Sequence, residues 1–313
     1  MALPPPGAGG WSPSTNALVC RAGAVCPSAA DFARERSQRR LAAWPGLRRW
    51  SAIFSAVYRR FEGRARGGVS PAVLHIGPND LRADAQTVAF YDALLGVAWR
   101  DRVVRLIFAE PNGRALRALQ RRLRETYGRK GGSVRIMNAA VCEQNGSSLT
   151  FHRFSSGLHE HFPPGAPGVV HSDSNARTLL DLIGTVDEEV LLQDVRRFRA
   201  AGWITAELAD VLPHLEKVPV RCLSPAALLA GGRLPAAAVD VLLVDSPSAA
   251  ARVRELLALS GFAPALVRFH AFWGPASGEV DIDIAPVVQA LADAGFNVYR
   301  SLAFLLAVTN RSM

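Results

Sequence analysis

The chain reads as an α/β protein built on a parallel sheet, and two observations predict this. Apolar runs of strand length recur along it: AVLHIG (72–77), VVRLIFAEP (103–111), SVRIMNAAV (133–141), VDVLLVD (239–245) and ALVRFHAF (265–272). Stretches with apolar residues three and four apart alternate with these runs, as amphipathic helices do. Strand–helix–strand–helix at this spacing implies parallel pairing through right-handed crossovers.

The first thirty residues, with PPPGAGG and SPSTN, hold one Arg and no acid before Asp31, which is the composition of a disordered segment. They lack the charged start and apolar centre of a secretory signal. An organelle transit peptide stays open. Residues 31–66 form a basic amphipathic extension with ten Arg against Asp31, Glu35 and Glu62. Its WSAIFSAVYRRF stretch puts Trp50, Ile53, Phe54, Val57, Tyr58 and Phe61 at helical spacing. Two readings fit: a helix packed on the domain edge, or contact with an anionic surface.

The main domain spans 67–313. After the first strand, ADAQTVAFYDALLGV (83–97) is helical. The second strand is followed by GRALRALQRRLRETYG (113–128), apolar at Leu116, Leu119 and Leu123. SLTFHRF (148–154) reads as a fourth strand. An insertion at about 155–215 follows, with FPPGAPG and helices near 176–200 and 203–212. Then come strands at 218–223, 239–245 and 265–272, helices at 248–260 and 285–294, and two closing segments, FNVYRS and LAFLLAVT. No internal repeat is present.

Composition narrows the function. The formal charge is +9, yet only Lys130 and Lys217 are lysines; the other basic residues are Arg. No aromatic–basic interleaving or binding module accompanies the Arg, so no specific nucleic-acid partner is expected. No run of eighteen uncharged apolar residues appears, so no transmembrane helix is expected, and a cytoplasmic location is. The four Cys (20, 26, 142, 222) read as reduced thiols, with Cys142 and Cys222 in the core. His152, His159 and His161 approach metal spacing in a loop without fixed geometry, and no metal is expected.

The ordered motifs from 70 to 310 resemble the FkbM-type family of S-adenosylmethionine (SAM)-dependent methyltransferases. HIGPND with Asp84 following is similar to that family's IGANDG opening. FAEPNGRALRALQRRL is similar to its second element, and RIMNAAVCEQNGSSLTFH to its third. VPVRCLSPAALLA, VDVLLVDSPSAAARVRELL, PALVRFHAFW and LADAGFNVYRSLAFLLAVTN follow in the family's order. The resemblance implies a class I methyltransferase (Rossmann-like) fold: a doubly wound, mostly parallel sheet with flanking helices. It implies SAM as cofactor and a small-molecule or carbohydrate hydroxyl as acceptor, with the insertion as acceptor lid.

Ligands of such sheets bind at the carboxyl ends of the strands, at the switch point. Gly77 ends the first strand, where backbone passes close to a ligand. Glu110 ends the second, where an acid can take both ribose hydroxyls or stand as a surface acid at the strand end. Asn138 and Ala139 end or cross the third, beside the adenine. Asn79 and Asp80 belong to the cofactor loop; Asp80 and Asp84 either hold the methionine amino group or cap the following helix. Asp245 and His270 are the candidate catalytic residues. Asp245 orients SAM or acceptor, removes the hydroxyl proton, or caps a helix; His270 is a general base or a rim His. His75, inside a strand, reads as a satisfied core residue.

The chain departs from the family pattern at four places. Leu81 stands at the second glycine, and Ser224, Ser248 and His270 replace or displace expected acids. A second reading therefore accompanies the first: a catalytically inactive methyltransferase-fold protein that keeps at most nucleoside binding.

Overall fold

The computed structural model describes residues 18–20, 23, 50–81, 85–98, 103–128, 133–155, 184–200, 207–246, 248–270, 284–301 and 304–309. In chain order the elements begin with β1 (Leu18–Cys20), α1 (Trp50–Arg66) and β2 (Ala72–Ile76). Helix α2 (Ala85–Tyr91) runs on in a wider, π-helical coil over Asp92–Ala98. Then come β3 (Arg105–Ala109), α3 (Gly113–Glu125) and β4 (Val134–Met137). Strands β5 (Ala140–Val141), β6 (Ser148–Phe154) and β7 (Gly184–Thr185) follow. Next are α4 (Glu188–Ala200), α5 (Leu208–Val211), β8 (Leu215–Leu223) and α6 (Pro225–Gly231). The chain continues through β9 (Val241–Val244), α7 (Ala249–Leu257), β10 (Leu266–His270) and α8 (Ile284–Asp293). It closes with β11 (Phe296–Ser301) and β12 (Phe304–Thr309).

The main sheet has the order β1-β11-β12-β10-β9-β2-β3-β4. Strands β10, β9, β2, β3 and β4 are parallel. The three remaining strands extend one edge by antiparallel pairing. The chain leaves β2 towards β3 and β4, then returns to the other side of β2 as β9 and β10. The strand order thus reverses between β2 and β9, the place where such sheets bind ligands.

Both faces of the sheet are covered, so the central strands carry apolar residues in nearly unbroken runs. One face packs Leu74, Ile76, Leu242 and Val267 against Leu228 of α6, Val253 and Leu256 of α7 and Val288 and Leu291 of α8. The other packs Val73, Leu106, Phe108 and Leu243 against Val57 and Phe61 of α1, Phe90 and Tyr91 of α2 and Leu119 and Leu123 of α3. Helix α1 is thereby an integral layer of the domain. Its Arg60 and Arg64 each donate through Nε to Oδ1 of the buried Asp240, at 2.9 Å. Asp240 Oδ2 accepts the Ala72 N–H. Helix α1 is therefore tied to the amino ends of β2 and β9.

Three expectations change. Residues 133–141 are not one strand: β4 stops at Met137, and β5 belongs to a second sheet of order β5-β8-β6-β7. SLTFHRF and VPVRCL do not extend the parallel sheet; β6 and β8 pair antiparallel there, from Ser148 opposite Arg221 to Phe154 opposite Leu215. They form the stem of the insertion, of which 156–183 and 201–206 lie outside the described residues. Within the stretch expected to be disordered, Leu18–Cys20 pairs with β11, because LVC is apolar and fits an open edge. The rest of 1–30 apart from Gly23, and the expected helix over 31–49, lie outside the described residues.

Cys142 and Cys222 form a disulfide, with their Cα atoms 5.8 Å apart. This corrects the expectation of reduced thiols. The two residues are 80 positions apart, and the pairing of β8 with β5 and β6, with the Cys142 N–H donating to Leu223 O, brings them together. No helix among the described residues is long and apolar enough to cross a membrane.

Candidate functional site

The loop after β2 makes its turn with three left-handed residues. Gly77, Asn79 and Leu81 have φ of 71°, 52° and 66°. At Gly77 two demands coincide. A Cβ there would stand 2.3 Å from the Asp245 carbonyl oxygen. The close approach that requires glycine is thus to the backbone after β9, across the switch point. Its N–H donates to Ala109 O at 2.9 Å.

Leu81 adopts the conformation that a glycine would take there, at a cost of about 1–2 kcal/mol for an L-residue. Its side chain is fully buried and packs in the core with Phe90 and Tyr91. The loop therefore keeps its turn without a second glycine.

Glu110 follows β3 and is 5% exposed. Its Oε2 accepts the Asn79 N–H and its Oε1 the Asn112 N–H, both at 2.8 Å. The carboxylate thus joins the loop after β2 to the start of α3. Burial pushes its pKa up to about 7, against the pull of the Asn112 and Asn79 N–H donors; the nearby Asp80 carboxylate adds to the rise. Asp80 is itself 2% exposed, and its N–H donates to Asn79 Oδ1 at 2.8 Å. Two buried acids so close together favour a ligand that brings hydroxyl donors and positive charge.

Asn138 follows β4. Its amide donates to the carbonyls of Glu110 and Pro111, at 3.2 and 3.1 Å. It steadies the same turn from the far side, while Ala139 is buried as the chain crosses to the second sheet. Asp84 lies outside the described residues, and α2 begins at Ala85.

Asp245 follows β9 and sits over a buried polar network. Arg268 Nη2 donates to its Oδ1 and Oδ2 at 2.8 and 2.6 Å, and to Thr87 Oγ1 at 2.7 Å. His75 Nε2 lies 2.9 Å from Asp245 Oδ2, and His75 Nδ1 lies 3.0 Å from the Tyr91 hydroxyl. Burial holds the Tyr91 phenol well above its usual pKa. The Asp245 carboxylate only accepts, so in a neutral His75 ring Nδ1 is left to accept the Tyr91 proton. Nε2 then carries the ring proton and donates to Asp245. The chain Tyr91–His75–Asp245–Arg268 balances one anion with one cation, and both His75 and Arg268 have no exposed surface.

His75 is thus the satisfied core residue that its strand position predicts. Its contact with Asp245, and the whole part played by Arg268, were missed. A signal was available: Arg268 interrupts an apolar strand whose neighbours are buried on both faces, and a charge there must be paired.

His270 is the last residue of β10. The pairing of Phe269 with Val244 puts it level with Asp245 on the neighbouring strand. Its side chain lies outside the described residues. Ser224, where the family pattern has an acid, caps α6 by accepting the Ala227 N–H at 3.2 Å, a role serine fills well.

Among the described residues no cluster of His, Cys, Asp and Glu is placed to hold a metal ion. His152 faces Glu188 at 3.3 Å; His159 and His161 lie outside the described residues. The chain matches no protein-family model and no curated protein.

Proposed function

We propose that the chain is a SAM-dependent methyltransferase of the FkbM type, acting on a hydroxyl of a small molecule or sugar. The carrying observation is the Glu110 carboxylate beside the switch point, with one backbone N–H on each oxygen. A carboxylate has about four lone-pair sites, so each oxygen can still accept one ribose hydroxyl. Asp80 and Glu110 together suit a cation with hydroxyl donors, and Leu81, turned into the core, leaves the loop in its glycine-like path.

When bound, SAM would be held at its ribose by Glu110 and would supply an electrophilic methyl to the acceptor oxygen. The chain's own part is to align the acceptor oxygen, an effect worth roughly 7–11 kcal/mol in well-oriented systems. It must also take the hydroxyl proton, worth roughly 10²–10⁴-fold. Asp245 is held by Arg268 and His75, which suits an anion that orients rather than one that accepts a proton. We assign proton removal to His270, level with Asp245 at the end of β10.

The same engagement of Asp245 favours a second reading, in which the protein lacks catalysis and keeps at most nucleoside binding. Thermal unfolding with SAM, adenosine or methionine, followed by transfer of labelled methyl to a panel of hydroxyl compounds, separates the two. The first reading expects a raised Tm with SAM and with adenosine, and transfer to at least one acceptor. Stabilisation without transfer moves the assignment to the second reading. No stabilisation by either nucleoside removes the first reading and leaves the second in its form without nucleoside binding.

A further inference from the structure

The inner face of α3 is apolar: Ala115, Ala118, Leu119 and Leu123 are buried. Its exposed positions are Arg117, Gln120, Arg121, Arg124 and Glu125. At the turn of an α-helix, Arg117, Arg121 and Arg124 fall within about 60° of one another, in a line about 10 Å long.

These three cations have no acid opposite them. Among the described residues none of the three makes an ion pair or a side-chain hydrogen bond. The exposed arginines of α4 are placed otherwise: Arg196 pairs with Glu189 at 2.7 Å, and Arg199 pairs with Glu207. The sole acid of α3 is Glu125. It stands four residues after Arg121, the weaker order for a helical ion pair, while the arginines three and four apart repel one another. The other arginines of α3 are engaged elsewhere. Arg114 donates to the Phe154 carbonyl and to Glu216, and Arg122 lies over the Tyr127 ring. The uncancelled charge therefore lies on the outer line alone.

The line is also narrow. Asp92 accepts the Tyr127 hydroxyl at 2.6 Å, next to Arg122, so an acid borders it on that side. A broad anionic surface would meet that acid, whereas a linear polyanion need not. Stable protein docking centres on apolar anchors, and a helix enters a lipid surface by an apolar face. No apolar residue of α3 is exposed. Guanidinium groups match phosphate oxygens in pairs, so the chemistry that fits is a chain of phosphates.

We propose that the outer face of α3 docks the phosphate backbone of a nucleic acid through Arg117, Arg121 and Arg124. Phosphate contacts position a strand and read no bases. The face therefore needs no base-reading module and confers no sequence preference. The proposal does not depend on how the crevice at the switch point is used.

The full chain is titrated by fluorescence anisotropy with short labelled single strands of RNA and of DNA, of mixed sequence, over a series of salt concentrations. Two variants accompany it, each losing three exposed arginines. One carries Arg117→Gln, Arg121→Gln and Arg124→Gln on α3; the other carries Arg135→Gln, Arg221→Gln and Arg254→Gln elsewhere. Circular dichroism checks that both are folded. Expected is binding by the parent that weakens roughly tenfold or more in the α3 variant, with the slope of log affinity against log salt shallower by roughly 2–3. The second variant should stay near the parent. No binding by the parent overturns the proposal. So does equal weakening in both variants, since net charge alone then accounts for it. Binding of phosphatidylserine vesicles or polyglutamate through α3, by a chain that binds neither nucleic acid, overturns it as well.

Discussion

Arg268 donates to both carboxylate oxygens of Asp245, at 2.8 and 2.6 Å, from a side chain with no exposed surface. Asp245 thus ends β9 as a fixed anion beneath the switch point. Breaking a buried pair from one side leaves a charge uncompensated. Arg268→Met should lower unfolding stability by about 3–5 kcal/mol. The double variant Arg268→Met, Asp245→Asn should recover much of that loss. Urea unfolding of the three proteins decides, and a single variant as stable as the parent would show that the pair is not what holds Asp245.

Leu81 predicts an inverted order of substitutions. Alanine there keeps the left-handed strain and loses the buried side chain, at about 2–5 kcal/mol. Glycine loses the side chain but relieves about 1–2 kcal/mol of strain. Leu81→Gly should therefore be more stable than Leu81→Ala, although both fall below the parent. The usual order, with alanine the more stable, would mean that the turn does not need a positive φ at this residue.

Glu110 gives stability a definite pH dependence. Its pKa is about 7 in the folded chain, against an ordinary 4.5. Between those values the folded chain holds a proton that the unfolded chain has released, so stability falls as pH rises through the window. Below it both states are protonated; above it the loss is complete, at roughly 3 kcal/mol. In Glu110→Gln this contribution vanishes, so the stability difference between variant and parent should shift in the variant's favour from pH 4.5 to 7. A difference constant with pH would show that the carboxyl is not buried as described. Ribose hydroxyls donate better to the ionised form, so SAM affinity should rise over the same interval.

The parallel sheet was legible because AVLHI, RLIFA and VLLV are buried on both faces and read as apolar runs. Glu110 was legible as a strand-end acid. The second sheet was not, because β6 and β8 have the same local character as parallel strands and differ only in partner. The joining of Glu110 to the Asn79 and Asn112 N–H groups was hidden as well, because backbone donors leave no mark in a sequence. His75 and Arg268 stood in plain view as polar residues in apolar strands. Asp245 reaches them through the pairing of β9 with β2 and β10, and Tyr91 through the packing of α2 on the sheet.

The disulfide between Cys142 and Cys222 closes a separation of 80 residues within the second sheet. Loop-closure entropy alone makes such a link worth about 4–5 kcal/mol. Replacing both residues by alanine should lower stability by that order. Non-reducing peptide mapping should recover Cys142 and Cys222 in one linked fragment, and their recovery as separate thiols from freshly purified, unreduced protein would contradict the link.

The most direct test of the crevice is isothermal titration of the full chain with SAM, repeated on Glu110→Gln. The account predicts saturable binding, at micromolar affinity, weakened roughly tenfold or more in the variant, as loss of hydrogen bonds to a charged group requires. Absence of SAM binding by the intact chain, or equal affinity in the variant, would contradict the assignment of Glu110 to the ribose.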